Sequence, residues 1–166
     1  MFTNPLFWTV WVGVAVAMEF WSMLVHNKLW HNSLWWGHKS HHTPRTGYFE
    51  LNDIFAVFHA GLAIFLIVYG FEAGPGLGHE LMIASGFGMT TFGISYFIVH
   101  DGFIHGRLPV KFLERSSYFR KVRNAHKVHH MRDHDAPYGL FLGEWELRRI
   151  KRRQVNQRST AASNHG

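Results

Sequence analysis

Residues 5–31 read PLFWTVWVGVAVAMEFWSMLVHNKLWH, an apolar run from Pro5 to Val25 that passes directly into a histidine pair, His26 and His31. The run has 21 residues and one charge, Glu19. About 20 apolar residues at a rise of 1.5 Å cross a hydrocarbon layer of roughly 30 Å, so this segment is long enough to span a membrane. Two further runs, Ile54 to Gly70 and Leu81 to Val99, carry no charge and have comparable length. The expected fold is all-α, an integral membrane bundle of three to four spans. A soluble protein of this size would need a larger polar shell than the chain supplies.

Charge is segregated along the chain. No Lys or Arg occurs from Met1 to Asn27 or from Leu51 to Gly106, and 14 of the 17 lie between Arg107 and Arg158. Lys28, Lys39 and Arg45 separate spans one and two, whereas Phe71 to Glu80 carries only Glu72 and Glu80. The positive-inside rule therefore puts both basic segments on the cytoplasmic side, most simply of a bacterial inner membrane. A basic tail behind apolar spans meets anionic lipid headgroups rather than nucleic acid. Residues 1–150 are expected to form one membrane domain, with 151–166 a basic, disordered tail. The first four residues lack a signal peptide's positive start, so span one is expected to remain as an anchor.

Asn52 or Asp53 is expected to cap the second span. Gly74-Pro75-Gly76 predicts a tight turn that makes spans two and three an antiparallel hairpin. Ala84 and Gly88 offer a close-packing face, and Trp30, Trp35 and Trp36 fit an interfacial belt. There is no cysteine, which removes disulfides, iron–sulfur clusters and thiolate chemistry from consideration.

Ten of the 14 histidines form a pattern that occurs twice. His26 and His31 precede the triad His38, His41 and His42; His100 and His105 precede the triad His126, His129 and His130. Helix positions three and four apart share a face, so each triad can converge on one point and hold one side of a metal site. A separation of five does not fit one face of a straight helix, so each pair is expected to straddle a helix end. His26 directly follows span one and His100 directly follows the third run, which gathers all ten at one membrane surface as a histidine-rich di-metal cap. Ten imidazoles exceed the need of one ion and suit iron, copper, zinc or nickel rather than calcium or magnesium.

Asp101, beside His100, is a candidate to orient a ligand through its other ring nitrogen. Glu19 lies seven residues before His26, two turns down the same face, and is either such an orienting group or an interhelical hydrogen-bond partner. His134 is a candidate auxiliary contact, while His59, His79 and His165 fall outside the pattern and read as ordinary hydrogen-bonded residues.

The segments Leu29-Trp30-His31, Ser40-His41-His42-x-Pro44-Arg45, Phe49-Glu50-Leu51-Asn52-Asp53, His100-Asp101-Gly102, Ala125 to His130 and Pro137 to Gly143 resemble the non-haem β-carotene hydroxylases, over roughly residues 15–148. That resemblance implies two iron ions held by His26, His31, His38, His41, His42, His100, His105, His126, His129 and His130. It further implies O2 as co-substrate, electrons from a ferredoxin-type donor, and hydroxylation of β-ionone rings at C3, converting β-carotene through β-cryptoxanthin to zeaxanthin. Asn27, Trp36-Gly37, Met131 to His134 and the basic run Arg148 to Arg153 depart from the family pattern without touching a ligand position. The basic segments Arg107 to Arg123 and Arg148 to Arg153 fit either an acidic donor or lipid headgroups. A related oxygenase acting on another lipid, such as a carotenoid ketolase or a fatty acid or sterol hydroxylase, is the alternative. A membrane metal-binding or transport protein is a more remote one, since transport sites lie near the midplane.

Overall fold

The computed structural model describes residues 3–131 and 136–163, and among them every regular element is helical. Helix α1 (Pro5–Val25) starts on an Asn4 side chain that accepts the Leu6 N–H, with Pro5 at the first helical position, where its missing N–H costs nothing. A short α2 (Trp35–His38) follows, then α3 (Asp53–Glu72) and α4 (Leu77–Tyr96). Three stretches are long and apolar enough to cross a membrane: Pro5–Ser33, Asp53–Glu72 and Leu77–Ile104.

The α3–α4 hairpin turns at Gly74, whose φ of 81° is a left-handed conformation that favours glycine. Helix α4 is the central element, with α1 on one side and α3 on the other. A Cβ at Gly88 would lie 2.7 Å from the Trp11 carbonyl oxygen, and one at Gly86 would lie 2.8 Å from that of Ala63. Without side chains at these two points the backbones approach closely, which is how helices gain contact where lipid removes the hydrophobic driving force. Ala84 is buried with Phe7 and Ile83 in the core between α1 and α4.

Two of the spans lengthen into π-helical segments, His26–Ser33 after α1 and Phe97–Ile104 after α4. Their hydrogen bonds run five residues back, from the Leu34 N–H to the Leu29 carbonyl at 2.8 Å and from the His105 N–H to the His100 carbonyl at 3.0 Å. His26 and His31 therefore lie within one helical segment, whereas His100 and His105 do straddle a helix end, since His105 is the cap residue after Ile104. Five residues is the π-helical hydrogen-bond spacing, and the wider turn brings the His26 ring near His31 and the His100 ring near His105.

Helix α5 (Ser117–Met131) lies across these segments and buries Val122, Ala125, His126 and His129, spaced three and four apart, while Lys121 and Lys127 face out. Val122 packs with Val99 and Leu140 in a second core that joins α5 to the third span and to the segment before α6. Helix α6 (Gly143–Ser163) runs through residue 150, so the tail expected to be disordered is helical up to Ser163. Its Glu, Arg, Lys and Gln are strong helix formers, and Glu144 pairs with Arg148 one turn on at 2.8 Å. Asn52 and Asp53 do not cap α3 with their side chains; both turn toward the histidine layer instead.

Candidate metal centre

The ten patterned histidines meet in one layer, and nine of them divide into a group of five and a group of four. Ring nitrogens of His26, His31, His38, His42 and His129 all lie within 4.8 Å of one another, as do those of His41, His105, His126 and His130. His100 stands beside the second group rather than in it, its ring centroid 4.7 Å from those of His41, His105 and His126. Neither triad serves a single point. His38 and His42 join the first group while His41 joins the second, and on α5 His129 separates from His126 and His130 in the same way. One helical face is wide enough to address two centres when they sit side by side.

Hydrogen bonds at the outer ring nitrogens fix how these imidazoles are presented. The His26 Nδ1–H donates to the Tyr138 carbonyl at 2.9 Å and the His38 Nδ1–H to Asn52 Oδ1 at 2.8 Å. In the second group the His41 Nδ1–H donates to Glu50 Oε2 at 3.1 Å and the His100 Nδ1–H to Asp101 Oδ2 at 3.2 Å. Each of these four rings then has Nε2 as a bare lone pair, and those of His26, His38 and His41 face other ring nitrogens of their group. Asp101 thus holds the outer ring nitrogen of the adjacent His100. Glu50 and Asn52 do the same for His41 and His38; in the sequence Asn52 reads as a helix cap and Glu50 only as part of the Phe49 to Asp53 segment of the family resemblance.

The bare lone pairs test whether a metal fits. His26 Nε2 and His38 Nε2 are 3.0 Å apart, and with both Nδ1 atoms protonated neither can donate to the other. His31 Nε2 stands 3.2 Å from His26 and 3.1 Å from His129, and in the second group His130 Nε2 is 3.2 Å from His41 and 2.8 Å from His126. Two nitrogens bound at right angles to one cation at roughly 2.1 Å lie about 3.0 Å apart, so these separations are those of neighbouring ligands around a shared ion. A donor set of imidazoles alone suits a first-row transition metal.

Burial keeps the imidazoles neutral, the form that ligates. Desolvation and then the neighbouring rings, His130 foremost for His42 and His100 for His105, pull both down to about 2. His130 falls to about 3 for the same reasons, burial first and then His129, and His41 and His126 also lie well below the ordinary value.

Aromatic rings wall the layer. Trp30 stacks on Phe55 at 5.0 Å and lies against His38, and Trp35 lies against His31 and His42; only Trp36 of the expected belt is broadly exposed. Glu19 reaches none of the described histidines. Its Oε1 accepts the Leu142 N–H at 2.9 Å, and Glu146 Oε2 accepts the Tyr138 and Gly139 N–H groups, so the segment whose Tyr138 carbonyl holds His26 is pinned by two carboxylates. His59 donates to the Phe55 carbonyl and accepts from Trp21 Nε1, and His79 donates to the Gly74 carbonyl, which accounts for both without a metal. His134 and His165 lie outside the described residues.

Two openings are bordered by residues of the layer. An apolar cavity of about 540 Å³ lies among α1, α3 and α4, lined by residues that include Met18, Ala60, Ala63, Gly93 and Phe97, and its inner end is formed by His100 and Asp101. A smaller one, about 370 Å³, is bordered by His41, His42, Thr43, Arg45, Glu50 and His105.

Residues 11–147 match the fatty acid hydroxylase family. The chain is 51% identical over 140 residues to beta-carotene 3-hydroxylase 1, chloroplastic, of Arabidopsis thaliana, covering 84% of this chain and 45% of that protein. It is 50% identical over 145 residues to the chloroplastic beta-carotene 3-hydroxylase of Gentiana lutea, covering 87% and 45%. With the beta-carotene hydroxylase of Pseudescherichia vulneris the identity is 44% over 116 residues, 70% of this chain and 63% of that one. The chain spans about half the length of the chloroplastic relatives it matches. No solved structure matches it significantly.

Proposed function

Because the chain belongs to the fatty acid hydroxylase family, we propose that it is a membrane di-iron monooxygenase that hydroxylates β-ionone rings of β-carotene at C3. The observation that carries this reading is the apolar cavity that ends on His100 and Asp101, since it brings a hydrocarbon from the bilayer to the edge of the histidine layer. The names borne by relatives at 44–51% identity favour a carotenoid over another lipid.

His26, His31, His38, His42 and His129 would hold one iron, and His41, His100, His105, His126 and His130 the other. Bound iron supplies O2 activation and the oxidising power for an unactivated C–H bond, with two electrons drawn from a ferredoxin-type donor and two protons from water for each hydroxyl formed. The protein's own part is to orient and to exclude. Tyr138, Asn52, Glu50 and Asp101 fix four imidazoles through Nδ1, so the ligand set is organised before a substrate arrives. From Asp53 to Ile64 the cavity follows α3 for 12 residues, roughly 16 Å of helix, enough for one ring and part of a polyene. The remainder of a rigid C40 chain would stay in lipid, and the second ring would enter in a separate binding event. The opening lined by Thr43, Arg45 and Glu50 gives protons and water a route that does not pass the substrate.

The basic face of α6, Arg148 to Arg153, suits an acidic electron donor; Arg107 leaves that surface because its side chain is only 5% exposed. By Lys and Arg asymmetry the histidine layer faces the cytoplasm of a bacterial inner membrane, or the corresponding side of a plastid membrane.

Expression in a bacterium that already makes β-carotene, with pigment chromatography, tests the activity. Cryptoxanthin and zeaxanthin should accumulate, and their absence from a well-expressed protein refutes the substrate assignment. Metal analysis tests the centre: the purified chain should carry about two irons, with His129→Ala losing one preferentially and His126→Ala the other. Wild-type iron content in both variants would refute the ligand assignment.

A further inference from the structure

The longest cation-free stretch between charged segments ends at Arg107, and the structure buries that residue. Gly106, at a φ of 70°, reverses the chain after the second π-helical segment, and the Arg107 N–H donates to the Asp101 carbonyl at 2.8 Å. The side chain is thereby laid back toward the histidine layer. Its Nη2 stands 3.3 Å from Glu50 Oε1, and its Nη1 stands 2.9 Å from Asp53 Oδ1 and 3.2 Å from Asp101 Oδ1.

Each carboxylate is shared. Glu50 turns Oε1 to Arg107 and Oε2 to His41, and Asp101 turns Oδ1 to Arg107 and Oδ2 to His100. Asp53 turns Oδ1 to Arg107 and Oδ2 to the Glu50 backbone N–H at 2.9 Å, which fixes the residue before the α3 turn from a second direction. The guanidinium thus joins the loop before α3 to the π-helical segment after α4 and aligns two carboxylates that each hold a histidine of the same group. Three carboxylates meet this guanidinium, and even with the Arg45 charge acting on Asp101 one negative charge is left in excess, which a bound cation would offset.

We propose that Arg107 is the positioning residue of the His41/His100/His105/His126/His130 group, setting how tightly that group retains its metal without touching the metal or the substrate. This rests on the dinuclear reading above. Arginine suits the role because its planar fork meets several carboxylate oxygens at once, which a lysine ammonium on a flexible stem does not. Removing a residue that directly orients a ligand weakens metal binding by roughly 10–100-fold. Arg107 acts one hydrogen bond further out, so the effect expected for Arg107→Gln is about tenfold, confined to one of the two metals.

The experiment uses the full chain in nanodiscs, loaded anaerobically with iron(II) and challenged with increasing concentrations of a ferrous chelator, with iron per chain measured by mass spectrometry. Arg107→Gln should release about one iron at about a tenth of the chelator concentration that wild type requires, the second iron leaving as in wild type. Arg107→Lys should fall between the two, and Arg148→Gln on the exposed face of α6 should behave as wild type. If Arg107→Gln does not accumulate, Arg107→Lys is decisive on its own. Unchanged release of both irons from a folded Arg107 variant, even one with lowered thermal stability, overturns the proposal and leaves the dinuclear centre standing. A wild-type chain that takes up no iron overturns the dinuclear reading and this proposal with it.

Discussion

Replacing Glu19 separates its hydrogen bond from its bulk. The residue is 5% exposed within the first span, and its Oε1 accepts the Leu142 N–H at 2.9 Å. Glu19→Leu keeps a side chain of similar size and removes the acceptor, leaving a part-buried amide without a partner. Such a loss costs about 1–3 kcal/mol, while Glu19→Gln keeps a carbonyl oxygen in reach and should cost less than about 1 kcal/mol. The consequence extends to the metal layer, because residues 138–142 carry the Tyr138 carbonyl that orients His26. Glu19→Leu should therefore weaken iron retention by the His26 group, with the His41 group unaffected. Unfolding free energy is measured by detergent denaturation in mixed micelles, followed by circular dichroism, with chelator release read in parallel. If Glu19→Leu matched wild type within about 0.5 kcal/mol, the tie between α1 and the Tyr138 segment would not be what stabilises this region.

Two further outcomes follow from the same layer. In metal-free protein, His42 and His105 at about 2 and His130 at about 3 lie below the ordinary histidine value of 6.5, so the unfolded chain takes up protons before the folded one does. Stability contributed by the neutral cluster is therefore fully present above about pH 6.5 and is lost progressively as pH falls toward 3 and 2. Melting temperatures of the metal-free chain from pH 8 to pH 4.5 should fall below about 6.5, and a flat profile would contradict the burial argument. In the cavity, Ala60→Trp should lower β-carotene conversion by about tenfold or more by blocking the approach of the ring, with iron per chain unchanged. Undiminished conversion would mean that the substrate enters elsewhere.

The spans, the hairpin and the identity of the histidines were legible in the sequence because each depends on local composition or spacing. The π-helical segments were legible in principle. His26 to His31 and His100 to His105 are each five apart, which is the hydrogen-bond spacing of a π-helix, whereas against a straight α-helix the same spacing implies only a helix end. The two-to-one division of each triad has no local signal. It depends on α5 crossing beneath both π-helical segments, which brings His129 to one group and His126 to the other.

Polar residues with a common local role were the hardest to place. Asn52 and Asp53 precede a helix and read naturally as caps, and Arg107 opens a basic segment and reads naturally as surface. What distinguishes them is tertiary: a left-handed glycine at 106 returns Arg107 onto Asp101, and the turn before α3 brings Glu50 and Asp53 to the same guanidinium. A buried arginine among three carboxylates is costly unless its geometry serves something, since replacing such a network with apolar groups is often neutral or stabilising. Here the carboxylates that neutralise it also fix His41 and His100. That shared use gives a physical reason for so much charge beside an apolar cavity, and it makes the orientation of the imidazoles, rather than fold stability alone, the property that substitutions at Arg107 should change.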